Sequence, residues 1–472
     1  MFNLQPGIRV AYLSVRAIRV YGTLVTLYIS QKEIPFARVM RDDGVMEDVP
    51  DNGQLETYEQ MDAATQREAL NEKVLQIVSD LPPPAFHPWC PTAMETKLRY
   101  TDFYAYNSGN PSTIYLAVRI QKPEIYLSSF IHELSTLILY VGSHRFYVHV
   151  VFAENTSHDL AKSFGRMMDI LRIAYKITFE QSQFIPQGYA RQRMNQKNLA
   201  MDPFYSSIAM EQLGISSFDY VVLIEDSVFC AGDVLELLFE HKFQGAELTC
   251  ALEWRGGLLH DKWTIRTSNG KPPYMRSELE GFFNQTKKTG AASLPTPFFT
   301  DPATRKRYRF LRSFPLFSCW SSIVILDPRV FLPVSAAIDG NVDAAKEGEE
   351  KKPVREKEGL RFRVAANGHD SDQYSDTFLF CVDMWERGMY KILMVPSASV
   401  GDTFEMYDLV RQDGRRQLKH PAGLEREGRG LVSYFRWPKT TPNEMVYHDY
   451  GIWQQHERVG KWDDSLLPPT KD

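Results

Sequence analysis

The rhythm of apolar and polar positions changes twice along the chain. Residues 10–31 form a long apolar stretch interrupted by Arg16 and Arg19. A charge-rich stretch with helical character follows and ends at Pro82, Pro83 and Pro84. From about residue 113, short apolar runs alternate with amphipathic segments, the pattern of strands and crossover helices in a mostly parallel sheet. Strands are predicted at 113–120, 146–153, 175–180, 220–224, 247–253, 317–326 and 390–395. Helices are predicted at 123–141, 158–172, 195–213 with a proline interruption, 232–243 and 374–388. The run at 220–224 is almost wholly apolar, as a central strand buried on both faces must be. The stretch between 254 and 312 reads as irregular. Residues 339–358 are dense in charge and predict a solvated loop. The segment from 407 is loop-rich with aromatic clusters. The expected organisation is an N-terminal region over 1–105 and one large α/β unit over 106–472. In that division, 10–31 is a candidate membrane anchor followed by a stem. Its longest uncharged run, 20–31, is shorter than the roughly 20 residues a spanning helix needs.

Composition narrows the picture only by exclusion. The 472 residues are 43% hydrophobic and 24% charged, with 54 Lys and Arg against 59 Asp and Glu. That excludes a disordered, collagen-like or multi-span membrane chain, and the balanced charge gives no sign of a nucleic-acid partner. Five widely spaced cysteines, Cys90, Cys230, Cys250, Cys319 and Cys381, form no zinc pattern. Four of them sit in apolar runs, which favours packed thiols over a disulfide framework, while the odd number still allows one or two bridges with a thiol left over. Asn155 and Asn284 open N-glycosylation sequons, which matter only in a secretory protein.

The sharpest local chemistry is at 221–230, where Glu225 and Asp226 end a buried strand. Ligands of open α/β sheets bind beyond strand carboxyl ends, and a carboxylate there suits Mg²⁺ or Mn²⁺ on a substrate phosphate. The competing reading makes the two acids caps for the next helix. A second acidic group, Asp370, Asp372 and Asp376, precedes or opens a helix; read alone it favours capping over a place for Asp376 at a reacting centre. Trp320 stands among small polar residues, where it could stack on a sugar ring or fill a core, and Arg361 and Arg363 flank Phe362, where they could clamp phosphate or form a solvated edge.

The order of these pieces resembles the fungal α-1,3-mannosyltransferase and capsule-associated protein family, glycosyltransferase family 69. The resemblance runs from about 113 to 464. It is carried by Ile224-Glu225-Asp226-Ser227-Val228-Phe229-Cys230 with Asp233-Val234-Leu235-Glu236-Leu237-Leu238, and by Thr249-Cys250-Ala251-Leu252-Glu253-Trp254. Phe317-Ser318-Cys319-Trp320-Ser321-Ser322, Arg361-Phe362-Arg363 and the segment from Ser375 to Trp385 follow in order. Upstream, Glu154, Ser157 and Asp159 match one family segment, and Asn198, Ala200 and Pro203 another. The chain departs from the family at Arg119 and Glu225, both Asn there, at Lys197 for Arg, at Glu253 for Asp and at Asp376 for Glu.

The resemblance implies a GT-A fold, with a Rossmann-like half and an acceptor half around a continuous mixed, mostly parallel sheet. It implies a retaining mannosyltransferase that uses GDP-mannose and Mn²⁺ or Mg²⁺ to extend a mannose-containing glycan, in a Golgi or other secretory membrane with the catalytic domain in the lumen. Asp226 would hold the metal, and Asp376 would stabilise the oxocarbenium-like centre. Glu154, Asp159, Glu225, Lys197, Asn198 and Arg119 would bind the donor. Trp254, Trp320, Ser321, Arg361 and Arg363 would contact sugar or acceptor. A UDP-sugar donor and a non-catalytic scaffold in polysaccharide assembly are the alternatives.

Overall fold

In the computed structural model, the apolar runs near 114, 146 and 220 become neighbouring parallel strands in the middle of a long sheet. The structure describes residues 13–20, 24–31, 38–40, 46–48, 63–81, 90, 98–104, 112–121, 123–153, 156–180, 189–206, 218–255, 258–260, 264–274, 299, 301–333, 359–364, 375–410, 435–447 and 458–461.

The N-terminal elements are β1 (Leu13–Val20), β2 (Leu24–Gln31), β3 (Arg38–Met40), β4 (Met46–Asp48) and α1 (Ala63–Asp80). Then come β5 (Ile114–Ile120), α2 (Pro123–Val141), β6 (Phe146–Phe152), α3 (His158–Ile170), β7 (Ala174–Phe179), α4 (Tyr189–Ala200) and β8 (Tyr220–Ile224). The next are α5 (Ala231–Gln244), β9 (Leu248–Arg255), β10 (Leu258–Leu259), β11 (Arg266–Thr267), α6 (Pro302–Arg309), β12 (Phe314–Ser318) and β13 (Ile323–Leu326). The chain continues through α7 (Asp376–Glu386), β14 (Ile392–Gly401), β15 (Glu444–Tyr447) and β16 (Arg458–Lys461).

The main sheet runs β11-β12-β14-β9-β13-β8-β5-β6-β7-β3-β4, with β10 paired to β9. Strands β8, β5, β6 and β7 are mutually parallel, and in chain order they lie 4-1-2-3, the arrangement of a Rossmann half. Strand β13 runs antiparallel to both β8 and β9, while β14 is parallel to β9. The carboxyl ends of β5, β8, β9 and β14 therefore lie along one edge. This single sheet joining two halves is the α/β architecture that the resemblance implies.

Burial explains the elements. Every residue of β5, β6 and β8 is buried, because helices cover both faces. One core lies under α2, α3 and α5 and includes Val74 and Ile77 of α1. The other lies on the opposite face and includes Trp320, Phe362, Phe380 and Cys381.

The structure sharpens three points. The described parts of 10–31 form the antiparallel pair β1 and β2, and no helix among the described residues is long and apolar enough to cross a membrane. The predicted strand at 317–326 is two strands, β12 and β13, which pair with different partners because residues 319–322 cross the sheet face between them. The cysteines are not all thiols: Cys90 is bridged to Cys230 and Cys250 to Cys319, leaving Cys381 free and buried. Their partners lie 140 and 69 residues apart, so only the tertiary fold brings them together. The charged loop 339–358, both sequon asparagines, Asp370 and Asp372, and much of the segment from 407 lie outside the described residues.

Candidate active site

The order of the parallel strands reverses between β5 and β8, and open α/β sheets place their ligands at such a switch point. Two contacts join the strands there. Arg119 at the end of β5 donates to Glu225 just past β8, with Nη1 2.8 Å from Oε2. One residue further on, the backbone N–H of Gln121 is shared by both carboxylate oxygens of Asp226, at 2.9 and 3.0 Å. The helix-cap reading of these acids fails on geometry. The N-cap of α5 is Cys230, whose backbone N–H donates to Asp233 at 2.9 Å. Glu225 and Asp226 thus stand past the carboxyl end of β8 without capping α5.

Helix α4 adds a buried cation to the acids. Its carboxyl end is held by Tyr115, whose hydroxyl donates to the Ala200 carbonyl at 2.9 Å, and by His149, whose Nδ1 lies 3.1 Å from the same oxygen. Burial pushes His149 down to about 3, so this ring is neutral in the fold. One turn earlier, Lys197 is completely buried and donates to Asp376 of α7 at 2.8 Å. Its Nζ also lies 4.0 Å from Glu225 Oε1, and 6.0 and 5.7 Å from the ring centroids of Trp320 and Phe362. The second cap reading resolves in the same way as the first. Ser375 caps α7 by accepting from Phe378 N–H, so the Asp376 carboxylate is available to Lys197. Burial alone would raise the Glu225 carboxyl, but Arg119 and Lys197 beside it bring it down to about 2. Burial lowers Lys197, against the opposing pull of Asp376 and Glu225.

From the other half of the sheet, residues 319–322 reach the same cluster. Cys319 is bridged to Cys250 of β9, and Cys381 of α7 lies against the Cys319 carbonyl at 3.4 Å. The chain then places Trp320 edge-on to Phe362 and Phe380. Ser322 accepts from the Glu225 backbone N–H at 2.7 Å, and its own N–H donates to Glu253 at 2.6 Å. Glu253 is almost wholly buried. Burial raises its carboxyl, against Arg255 and the N–H and hydroxyl of Ser322.

The structure therefore gathers Arg119, Glu225, Asp226, Lys197, Asp376 and Trp320 at one place. Asn198 sits beside them in another capacity: it donates to the Phe362 carbonyl at 2.8 Å and accepts the Phe362 N–H at 2.9 Å. That pair fixes the backbone between Arg361 and Arg363. Each of those arginines has a protein partner. Arg361 lies 4.2 Å from the Tyr205 ring centroid, and Arg363 forks onto Asp383 at 2.8 and 2.7 Å. Asp159 is exposed at the start of α3 and pairs with Lys162. The Ser321 hydroxyl is taken up by the Ile323 carbonyl at 2.6 Å, and Trp254 is buried at the end of β9. Glu154 lies outside the described residues. Gln121 and Ser322 were not foreseen. Gln121 acts through its backbone, which leaves no mark in sequence, and Ser322 is one of two adjacent serines.

The donor set at Asp226 can be tested against a divalent ion. Among the described residues, no three Asp, Glu, His or Cys side chains converge there. A group of that kind, Cys90, Glu133 and Cys230, contains a disulfide. An ion at Asp226 would take one carboxylate from the chain and its other ligands from a diphosphate and water. This is the usual division for Mg²⁺ at phosphate sites, and the residues fit it.

Comparison with known proteins agrees with the order of these pieces. The family model described as Cryptococcal mannosyltransferase 1 matches residues 113–383, from the start of β5 into α7. The α-1,3-mannosyltransferase CMT1 of Cryptococcus neoformans var. neoformans is 22% identical over 280 residues, covering 56% of this chain and 53% of that protein. The chain thus matches about half the length of this relative. Among solved structures, GalNAc-T7 with UDP, GalNAc and Mn²⁺ is similar at a TM-score of 0.32 and 10% identity, over 68% of this chain and 56% of that one. The mannosyltransferase Ktr4p of S. cerevisiae in complex with GDP is similar at 0.22 and 10%, over 60% and 73%. TM-scores of this size carry no argument about function.

Proposed function

The chain belongs to the Cryptococcal mannosyltransferase 1 family, and from that premise we propose that it is a metal-dependent, retaining mannosyltransferase. It takes GDP-mannose and forms an α-1,3 linkage on a mannose-containing glycan. The observation that supports this reading best is the pair of strand-crossing contacts at the switch point, Arg119 to Glu225 and Gln121 to Asp226.

Each residue then has a task. Asp226 holds Mn²⁺ or Mg²⁺, which when bound offsets the charge that gathers on the departing diphosphate. The Gln121 N–H orients the Asp226 carboxylate. Asp376 supplies negative charge towards the sugar centre as it becomes oxocarbenium-like, a contribution made electrostatically rather than covalently. Lys197 fixes where that carboxylate sits and balances the acids around it. Asn198 holds the 361–363 backbone beside the cluster.

We place the catalytic region in the lumen of the secretory pathway, as in a Golgi membrane. Two disulfides support this, because such bonds persist in oxidising compartments. The test of the function is a panel of nucleotide sugars, following donor hydrolysis and transfer to mannosides with and without Mn²⁺. Turnover of GDP-mannose that depends on the metal is expected. Turnover of UDP-sugars alone would replace the donor, and no turnover or nucleotide binding at all would leave a scaffold.

A further inference from the structure

Away from the candidate site, charge is unevenly spread. The chain has a formal net charge of −5, yet residues 302–312 hold five cations, Arg305, Lys306, Arg307, Arg309 and Arg312, and no acid. Residues 435–442 add Arg436 and Lys439, again with no acid. The fold joins the two segments, because the Arg307 guanidinium lies 4.8 Å from the Phe435 ring centroid. Phe435 and Trp437 pack on each other and on the core under α2, α3 and α5, and Arg436 between them is exposed. Lys306, Arg309 and Lys439 are exposed as well, and among the described residues none of these four has an acidic partner. Helix α6 packs on β12, four strands away from β8, so this face is separate from the candidate site.

Cations in a last helical turn offset the helix dipole, which accounts for part of α6. It does not account for Arg436 and Lys439, which belong to no helix, nor for Phe310. That residue follows α6 and is 54% exposed, the most exposed large apolar side chain among the described residues. The chain turns beside it through Leu311, held in the left-handed region at φ 49°. The Leu311 N–H donates to the Tyr308 carbonyl at 2.9 Å and the Arg312 N–H to the Arg307 carbonyl at 3.0 Å, a closure that usually employs glycine. The Arg312 guanidinium then lies 5.7 Å from the Phe310 ring centroid. Cations alone suit any polyanion. A bare phenyl ring among them suits an anionic surface that turns apolar just beneath its charges, which is a bilayer interface. A soluble acidic polymer would answer the cations and leave Phe310 in water.

We propose that the end of α6 and the 435–439 segment form a face that docks on anionic lipid headgroups, with Phe310 entering the interface between them. The cations supply attraction that salt screens, and the ring supplies a contribution that salt does not remove. This inference goes beyond the transferase reading and does not depend on it.

The test follows partition of the full chain onto vesicles of phosphatidylcholine, alone or with about 30% phosphatidylserine. The readout is the gain on anionic over neutral vesicles, which sets aside any membrane contact made elsewhere in the chain. Wild type should gain at least about 100-fold at low salt, and the gain should fade as salt rises. Lys306→Glu with Arg309→Glu, and separately Arg436→Glu with Lys439→Glu, should each cut the gain at least about tenfold. Phe310→Ser should weaken binding to the anionic vesicles about fivefold and leave its salt dependence unchanged. Thermal melting reports folding; if one charge variant melts early, the other and Phe310→Ser still decide. A wild type without the gain, or a gain that the folded variants keep, overturns the proposal. Binding to soluble heparin with no gain on vesicles also overturns it and assigns the patch to an acidic polymer.

Discussion

On one side of β13, the ends of β5 and β8 meet through reversible contacts, Arg119 with Glu225 and Gln121 with Asp226, and α4 and α7 add Lys197 with Asp376 across 179 residues of chain. On the other side, β9 and residues 319–322 are joined by the covalent bridge from Cys250 to Cys319, and Ser322 and Glu253 meet through a backbone N–H. The charges are concentrated on the β5–β8 side, whose own bridge, Cys90 to Cys230, lies past the cluster at the start of α5. Buried charges hold one another in place only while every partner is present, whereas a staple holds its ends whatever their charge. The charged cluster should therefore respond sharply to single substitutions and to acid, and the β9 side to removal of its own bridge, Cys250 to Cys319.

The largest effect should come from Lys197→Met. It leaves the buried Asp376 carboxylate without its cation, and breaking such a pair costs about 3–5 kcal/mol. Denaturant unfolding measures it, and a loss below about 1 kcal/mol would mean that the cation is not what organises this half. Next comes the staple. Replacing Cys250 and Cys319 together by Ala should cost about 2–4 kcal/mol, since the bridge closes a loop of 69 residues. Mild reductant should lower the wild-type melting temperature by more than that of the double variant, which keeps only the Cys90–Cys230 bridge.

Smaller, but more specific, is the coupling of Arg119 to Glu225. The resembled family has Asn at both positions, and here the two replacements touch. Arg119→Asn and Glu225→Asn together should cost less than the sum of the two singles, by about 0.5–3 kcal/mol. Strict additivity in that cycle would contradict the pairing. The same carboxyl sets an acid limit. The folded Glu225 titrates at about 2, against 4.5 for an ordinary glutamate. Its contribution is therefore complete above about pH 4.5 and is lost as pH falls towards 2. Glu225→Gln should flatten that part of the stability profile.

The comparison also separates what the sequence made legible from what it hid. Strand β8 and helix α2 lie where their apolar runs predict, because burial on both faces or one stripe is written in local pattern. The acids after β8 were visible for the same reason, as charges that end an apolar strand. The relation of Lys197 to Asp376 was not visible, since each residue is a plausible solvent-facing charge until α4 and α7 pack together. Nor were the disulfides, whose cysteines look like ordinary buried thiols in apolar runs. The break between β12 and β13 escaped because an apolar run of ten residues reads as one strand, while the pairing of its two ends is decided by β14 and β9.

The account depends most on Asp226 as the metal-dependent donor site at the switch point. The direct measurement is the affinity for GDP by calorimetry, with and without Mn²⁺, in the wild type and in Asp226→Asn. We expect Mn²⁺ to tighten GDP binding at least about tenfold in the wild type, equivalent to about 1.4 kcal/mol. That gain should disappear in a variant that melts like the parent. An equal gain in both proteins would contradict the assignment.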